Sequence, residues 1–556
     1  MLNKYDKEGN RLEARDNDSV ILSEYDPLGR IIEESRIIAG KTYVTGYRYD
    51  KVGNLRFIKY PESNVWVEYK YNKLNQLVGI TGFADGTVDN PAFTYVDNGF
   101  LTGIRYNNGT NTEITPDANS RVKSIKVITV DEGTPFDISY AYDGNNNVES
   151  RTNHITGNTN YYYYDKLDRL TAAEVEGTFY GERTGFLGVA EEDIFGTLSL
   201  VEPEDYWVKF DYKGNSIGVV LVEKASIGKI ELKPAPEVLE HRVEKNTLTV
   251  YYSPDNFTFY KLPEDQWYFE KDEDGDITII FEEPVEALAF KIHSKFDDRD
   301  MYFGFVDKSE FYGDLRNMVK IYQRSDGARL EYDYDAGGNR TAKRTIVGNT
   351  EEITYEYYEG SNRLKKMTNN RTGETFYYVY DENGNLIEKG NRFTVKVDGS
   401  VEFIKEGFDV EYWRYEYTVR NRLKAVYRNG KLKAKFIYDA DGNRIRSETE
   451  EEGNINYVFN YAGKVIYEDN ISEGKKISYI YAFDRPIAKV EGIVGSDTEV
   501  YYYHHDNLGS TRLMTDGKGQ VAWEQDYLPF GEDLHKPGIS VVDFAIDAKY
   551  KFTGQR

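Results

Sequence analysis

Alternation of apolar and polar positions with a period of two runs through most of the chain. Segments such as Glu331-Tyr332-Asp333-Tyr334 place aromatic side chains on one face and carboxylates on the other. That period predicts strands, because successive side chains of a strand point to opposite faces. Each strand then meets a break of fixed composition. Tyr25-Asp26 precedes Leu28-Gly29-Arg30-Ile31, Tyr49-Asp50 precedes Gly53-Asn54-Leu55, and Tyr5-Asp6 precedes Gly9-Asn10-Arg11-Leu12. Weaker copies stand at Tyr71, at Tyr95, at Tyr142-Asp143 and at Tyr164-Asp165. The pattern returns at Tyr334-Asp335 with Gly338-Asn339, at Tyr357, at Tyr380-Asp381 with Gly384-Asn385, at Tyr417, and at Tyr438-Asp439 with Gly442-Asn443. Most copies are spaced by roughly 20–24 residues, a period that signals stacked supersecondary units.

Each copy reads as a β-hairpin. The Gly-Asn pair is expected to supply the positive-φ turn, Asp or Asn to bond the nearby backbone, and Leu or Ile to begin the return strand on the tyrosine face. One hairpin cannot bury its face alone, so neighbours must complete it. The fold class expected is all-β, a spiral of hairpin repeats.

From about residue 178 to 318 this grammar lapses. Apolar runs replace it: Ile217 to Val222, Ile227 to Leu232, Ile277 to Phe281 and Leu288 to Ile292. Strands of five or six residues at this spacing predict a β-sandwich inserted between two repeats. The stretches at 229–233 and 287–292 resemble the late strands of galactose-binding-like jelly rolls. The insert is either a plain brace or a module that binds sugar or a partner, with Trp207, Trp267, Tyr268 and Phe269 as its aromatic candidates. The division expected is therefore repeats at 1–177, insert at 178–318, repeats at 319–490 and a distinct C-terminal segment at 491–556.

Composition sharpens this picture. The chain of 556 residues carries 49 Tyr and 48 Gly but only 14 Pro, with 15% aromatic residues, which is unlike a disordered chain. Tyrosine suits a thin sheet, since its ring buries while its hydroxyl reaches solvent or a partner. The net charge of −25 argues against nucleic acid and anionic membranes as partners. There is no Cys, which removes disulfides and thiol catalysis, and no run of 18 apolar residues predicts a membrane span. The first ten residues contain no apolar core of a signal peptide.

Candidate chemistry is sparse. Gly214-Asn215-Ser216-Ile217-Gly218 matches the G-x-S-x-G elbow, but a strand rather than a helix is expected after it. His504-His505-Asp506 offers ligand atoms, yet adjacent strand residues face opposite ways and fit one ion poorly. Asp272-Glu273-Asp274-Gly275-Asp276 is dense in carboxylates but lacks the length and closing Glu of an EF-hand; an Asp-Gly turn explains it. Gly40-Lys41-Thr42 lacks the first glycine of a phosphate loop, since Ser35 stands there. With 95 acidic residues, no glycosidase pair can be singled out. No catalytic residue, metal ligand or cofactor is expected.

The most specific stretch is Tyr501-Tyr502-Tyr503-His504-His505-Asp506-Asn507-Leu508-Gly509-Ser510-Thr511-Arg512, followed by Tyr527-Leu528-Pro529-Phe530-Gly531-Glu532 and Phe552-Thr553-Gly554-Gln555-Arg556. It resembles the RHS-associated core signature, carried by His505, Asp506, Leu508, Gly509, Ser510, Arg512, Pro529, Phe530 and Gly531. With the upstream Tyr-Asp repeats, about three quarters of the chain resembles YD-repeat (RHS) proteins, similar to teneurin shells and toxin-complex carriers. The resemblance implies a hollow β-cocoon, secreted or at a bacterial cell surface, that encloses a C-terminal toxin or engages secretion machinery. It implies that the core segment seals one end. It further implies an aspartyl autoprotease whose aspartates follow the position matching Arg556, so the chain reads as truncated and unable to cleave itself. The expected role is a non-enzymatic wall or carrier. The alternatives are adhesion to surface glycans or cell-wall material through the insert, and the autoprotease.

Overall fold

In the computed structural model the period-two pattern becomes strands as expected. Ser19–Tyr25 and Phe136–Tyr142 bury every second residue over most of their length. The structure describes residues 2–183, 185–190, 199–200, 208–210, 216–232, 245–256, 258–272, 276–294, 301–303, 319–347, 349–407, 410–496, 498–534 and 546–554. Among these, helical geometry is confined to three-residue turns such as Glu264–Gln266. The fold is all-β.

Eight antiparallel strands, from Leu2–Tyr5 to Leu77–Ile80 in sequence order, form a first sheet. A second antiparallel sheet begins at Phe93–Tyr95 and is followed strand by strand to Val521–Glu524. Consecutive hairpins are neighbours almost throughout.

The interruption at 178–318 leaves that sheet intact. Leu170–Arg183 pairs antiparallel with Val319–Tyr334, from Ala172↔Glu331 to Arg183↔Ile321, with one register shift between Glu176 and Phe179. The flanking repeats thus meet as though the intervening residues were a long hairpin loop. Within that loop, the apolar runs expected to be separate short strands are fused. Ile217 to Val222 and Ile227 to Leu232 both lie in the single strand Ser216–Leu232, and Ile277 to Phe281 and Leu288 to Ile292 in Ile277–Ser294. The two long strands pair with register shifts between Val220 and Ala225 and between Ile227 and Lys229, so each continues through an irregularity rather than ending. Ile230, Trp267, Ile279, Phe281 and Phe290 pack into their own core. Trp267 is 1% exposed and belongs to that core, so it offers no binding surface; Tyr268 is exposed, and Trp207 lies outside the described residues.

A second level of order links residues far apart in sequence. Arg36 pairs with Asp439 at 2.8 Å, and the Tyr43 hydroxyl donates to Asp469 at 2.7 Å. The Tyr69 hydroxyl donates to the Tyr481 carbonyl at 3.1 Å, and that of Tyr106 to the Tyr503 carbonyl at 2.9 Å. Asn108 donates to Thr515 at 2.9 Å, and Arg151 holds Asp526 with two bonds of 2.8 and 2.9 Å. The sequence separations of these contacts are 403, 426, 412, 397, 407 and 375 residues. A nearly constant offset is the signature of a strip wound back upon itself, each hairpin of the last turn lying against a hairpin of the first. Where the turns overlap, Tyr43, Tyr47, Val458, Tyr467 and Ile480 form the largest shared core. Away from the overlap, strands such as Leu364–Asn369 are half-buried at every position, as expected of a wall one sheet thick.

Candidate functional site

The repeat turn is the recurring unit from which the wall is built. In the turn at Asp26, Oδ1 accepts the amides of Leu28 at 2.9 Å and Arg30 at 3.0 Å. The Arg30 guanidinium donates to Oδ2 at 2.7 Å. The backbone closes with Gly29 N to the Asp26 carbonyl at 2.9 Å. Asp50, Asp335, Asp381 and Asp439 repeat this arrangement, with Asn54, Asn339, Asn385 and Asn443 supplying both the backbone amide and a side-chain bond of 2.8 to 3.1 Å. The Arg30 hydrogen bond holds the Asp26 carboxyl below its ordinary range, and the amides of Asn339 and Asn385 do the same for Asp335 and Asp381.

The expectation that glycine and asparagine share the positive-φ geometry is corrected. Gly29, Gly53, Gly338, Gly384 and Gly442 take φ of 74, 99, 86, 88 and 93°, while the following Asn residues do not enter that region. The glycine completes a type I turn with a left-handed third residue, and the asparagine serves the aspartate instead.

The repeat tyrosine has a role that alternation alone does not show. Its hydroxyl donates to the backbone carbonyl at the start of the preceding return strand: Tyr25 to Arg11 at 3.0 Å, Tyr334 to Leu170 at 2.8 Å and Tyr438 to Leu423 at 2.8 Å. Those residues lie two positions beyond the last pair of the ladder with the tyrosine's own strand, so the hydroxyl bonds a carbonyl that this ladder does not reach. Tyr49 lies under the Arg30 guanidinium at 4.7 Å, and Tyr380 stands edge-on to Tyr358 at 6.1 Å. A parallel ladder joins the turns: Asn54 to Asn75 at 3.1 Å, Asn339 to Asn362 at 3.1 Å, and Asn385 to Asn421 at 3.0 Å. Both ladders cross the insert, since Arg169 donates to the Asp335 carbonyl at 2.9 Å.

The core signature proves to be one more such turn. Asp506 accepts the amides of Leu508 at 3.0 Å and Ser510 at 2.9 Å, and Gly509 has φ of 88°. His505 occupies the tyrosine position, and its ring stacks on Tyr503 at 6.0 Å. His504 faces the other way, between Thr112 at 2.9 Å and Thr515 at 3.1 Å. Burial lowers both imidazoles to about 3, so they are neutral at neutral pH. The two rings therefore do not converge on a common ligand.

Asp526, which the signature does not include, is the centre of the segment. Its carboxylate is shared by Arg512 at 2.5 Å and Arg151, and the two guanidinium groups hold it ionised despite burial. Arg512 also donates to the Gln525 carbonyl at 2.9 Å and faces Asp506 at 3.5 Å. Pro529 and Phe530 sit in a further tight turn closed by Gly531 N to the Leu528 carbonyl at 2.9 Å. Phe530 stands edge-on to Tyr332 at 4.9 Å, with Arg340 over its ring at 5.0 Å, and Glu532 pairs with Lys343. The segment 526–534 thus bridges the first repeats to the repeat that follows the insert. Residues 546–554 pack back on the hairpin, with Thr553 N donating to Ser510 at 3.0 Å.

The other sequence candidates fall apart or lie partly out of view. Ser216 begins a strand, and Gly214 and Asn215 are outside the described residues. Asp272 N bonds the Asp276 carbonyl at 3.0 Å as a turn would, with residues 273–275 outside them. Gln555 and Arg556 are outside them too. No group of three or more potential metal ligands occurs among the described residues.

Comparison with known proteins follows this geometry. Residues 297–547 match the family model described as Teneurin YD-shell. Two curated relatives are 24% identical over 250 residues: the tRNA3(Ser)-specific nuclease WapA of Bacillus spizizenii and the tRNA nuclease WapA of Bacillus subtilis. Those alignments cover 44% of this chain but only 9% of each relative. The crystal structure of TcdB2-TccC3-Cdc42 superposes on 98% of the chain with a TM-score of 0.50 and 14% identity, using 22% of that molecule; at such identity the likeness is one of fold. Repeat turns, hairpin sheet and family match agree over residues 297–547, where the chain is similar to the Teneurin YD-shell.

Proposed function

We propose that this chain is a wall segment of a hollow carrier that encloses a polypeptide, and that it performs no catalysis of its own. The near-constant offset of about 400 residues between contacting hairpins carries the reading. A sheet that winds back on itself and stays one layer thick elsewhere encloses space instead of filling it. The tyrosine latches and turn ladders serve the same end, because they hold neighbouring hairpins together without a thick core. The segment around Asp526 pins the end of the strip to its beginning and to the repeat after the insert. An enclosed toxin or effector, export from a bacterial cell, and contact with secretion machinery are the partners and setting that this architecture suits.

The nuclease activity named for the curated relatives is not carried over. The chain spans about a tenth of their length, and a net charge of −25 provides no footprint for a phosphate backbone. Small-angle scattering tests the hollow reading. A solid globule of this length has a radius of gyration of about 24 Å; the shell is expected to exceed it and to show an interior of low density. A profile fitted by a solid 64.3 kDa particle refutes the proposal.

A second reading rests on the insert. Tyr252 and Tyr260 lie 5.6 Å apart beside Gln266 and Glu283 around a cavity of about 760 Å³. Aromatic rings beside planar polar groups suit a neutral sugar. A glycan array probed with the intact chain tests this, and an array without signal removes it.

A further inference from the structure

Where the core signature meets the overlapping turns, a cavity of about 630 Å³ opens beside the wall. Its lining comes from four separate places in the sequence. Arg444 and Tyr457 belong to one hairpin, Lys464 to the next turn, Arg485 to the turn after that, and Leu508 and Gly509 to the signature. In a chain with 25 more acidic than basic residues, the lining is inverted. Arg444, Lys464 and Arg485 face the cavity, with Asp484 as its single carboxylate.

Arg444 and Arg485 are exposed, and among the described residues none of the three cations is neutralised by an ion pair. Elsewhere Arg36, Arg151 and Arg512 are all held in ion pairs. Among the described residues, Arg444, Lys464 and Arg485 form no ion pair, and Arg444 only overlies Phe436 and Tyr457 at 5.2 and 5.6 Å. Three cations against one carboxylate leave the cavity lining with a net positive charge, which favours an anion there.

The backbone is shaped for the same purpose. Phe483 and Asp484 take φ of 52 and 62°, a left-handed pair without glycine. Such geometry is costly for a ring-bearing residue and persists where the surroundings impose it. Here Phe93 pins the Phe483 ring edge-on at 5.5 Å, and the turn presents Arg485 to the cavity. Across from it, a Cβ on Gly509 would stand 2.9 Å from the Arg485 guanidinium, so the missing side chain is what admits the cation. Phe459, Tyr481 and Tyr550 complete an aromatic wall.

We propose that this cavity is a binding site for an oxyanion borne on an aromatic or apolar body, a carboxylate or a phosphate ester, with the two guanidinium groups and Lys464 holding the anion and the rings holding the body. Arginine forks match both oxyanions bidentately, so the geometry sets the charge and the neighbouring ring, while the test separates the two sources.

The experiment is calorimetric titration of the intact chain with phenyl phosphate, benzoate and, as the neutral control, phenol. Saturable binding of phenyl phosphate or benzoate with none of phenol is expected, and the better of the two names the oxyanion. In Arg444→Gln and Arg485→Gln, which keep length and polarity, binding should weaken by about tenfold or more each, as for loss of a charged hydrogen bond. Both variants should still unfold cooperatively with only a small shift in melting temperature, since neither cation forms an ion pair and Arg444 loses only its ring contacts. Absence of binding by both anions overturns the proposal. So does binding that phenol equals, or that a stably folded double variant retains.

Discussion

Individual residues in this wall act mainly by satisfying groups that the sheet leaves exposed or charged. The Asp26 carboxylate occupies both oxygens within its own turn, and the Tyr334 hydroxyl caps a carbonyl of the previous repeat. His504 is the clearest titrating case. Burial lowers its imidazole to about 3, whereas it would protonate near 6.5 in the unfolded chain. The unfolded state therefore binds more protons between those values. The contribution is complete above about pH 6.5 and falls as the solution is acidified towards 3, by at most about 1.4 kcal/mol per pH unit. Urea unfolding at pH 7 and pH 5 is expected to show that loss, and His504→Gln should reduce it without abolishing it, since buried His505 contributes with the same sign; an unchanged slope in the variant would disprove the assignment. Asp526 is the other decisive residue. Asp526→Asn leaves Arg151 and Arg512 facing one another without their shared counter-charge. A loss of about 3 kcal/mol or more in unfolding free energy is expected, as for one broken partner of a buried pair.

At the scale of the hairpin, turn chemistry sets the register. Gly53 has φ of 99° and nothing within 4 Å of the position a Cβ would take. Gly53→Ala consequently probes backbone strain alone and should cost about 1 kcal/mol. Gly53→Asn should cost less, because asparagine tolerates this region, as Asn75 and Asn421 do in the degenerate copies with φ of 59 and 58°. Equal losses for the two variants in thermal melts would contradict the turn assignment. The tyrosine-aspartate-glycine grammar made these hairpins legible in the sequence, since each residue type has a local geometric reason to be there. The tyrosine latch was not legible. Its acceptor belongs to the preceding repeat, and nothing local marks a carbonyl that the ladder leaves unpaired.

For the whole molecule, the winding of the strip decides what the parts do. Leu170–Arg183 and Val319–Tyr334 pair as one long hairpin, so the residues between them are carried on the wall and do not interrupt it. We propose that the insert is a separable domain. Replacing residues 177–326 with an Asn-Gly turn, after Glu176 and before Gly327, is expected to retain a cooperative β-sheet unfolding transition. Failure of that variant to fold would make the insert a structural part of the shell. Core placement follows the same logic. Ile230 and Trp267 pack within the insert, whereas Tyr43 and Tyr467 pack between turns of the strip.

By itself the sequence determined the all-β class, the hairpin repeat, the lapse at about 178–318 and the resemblance to YD-repeat shells. The first three rest on local periodicity and on turn residues whose φ preferences act within a few positions, and the resemblance rests on the likeness of the Tyr-Asp repeats and of the stretch from Tyr501 to Arg512 to known motifs. Only the tertiary structure decided that Arg36 meets Asp439, that Arg151 meets Asp526, and that Arg444, Lys464 and Arg485 gather around one cavity. Such meetings depend on the twist and length of one turn of the spiral, summed over hundreds of residues. No local pattern encodes that sum, and the insert contributes to the sequence separation without lengthening the wall.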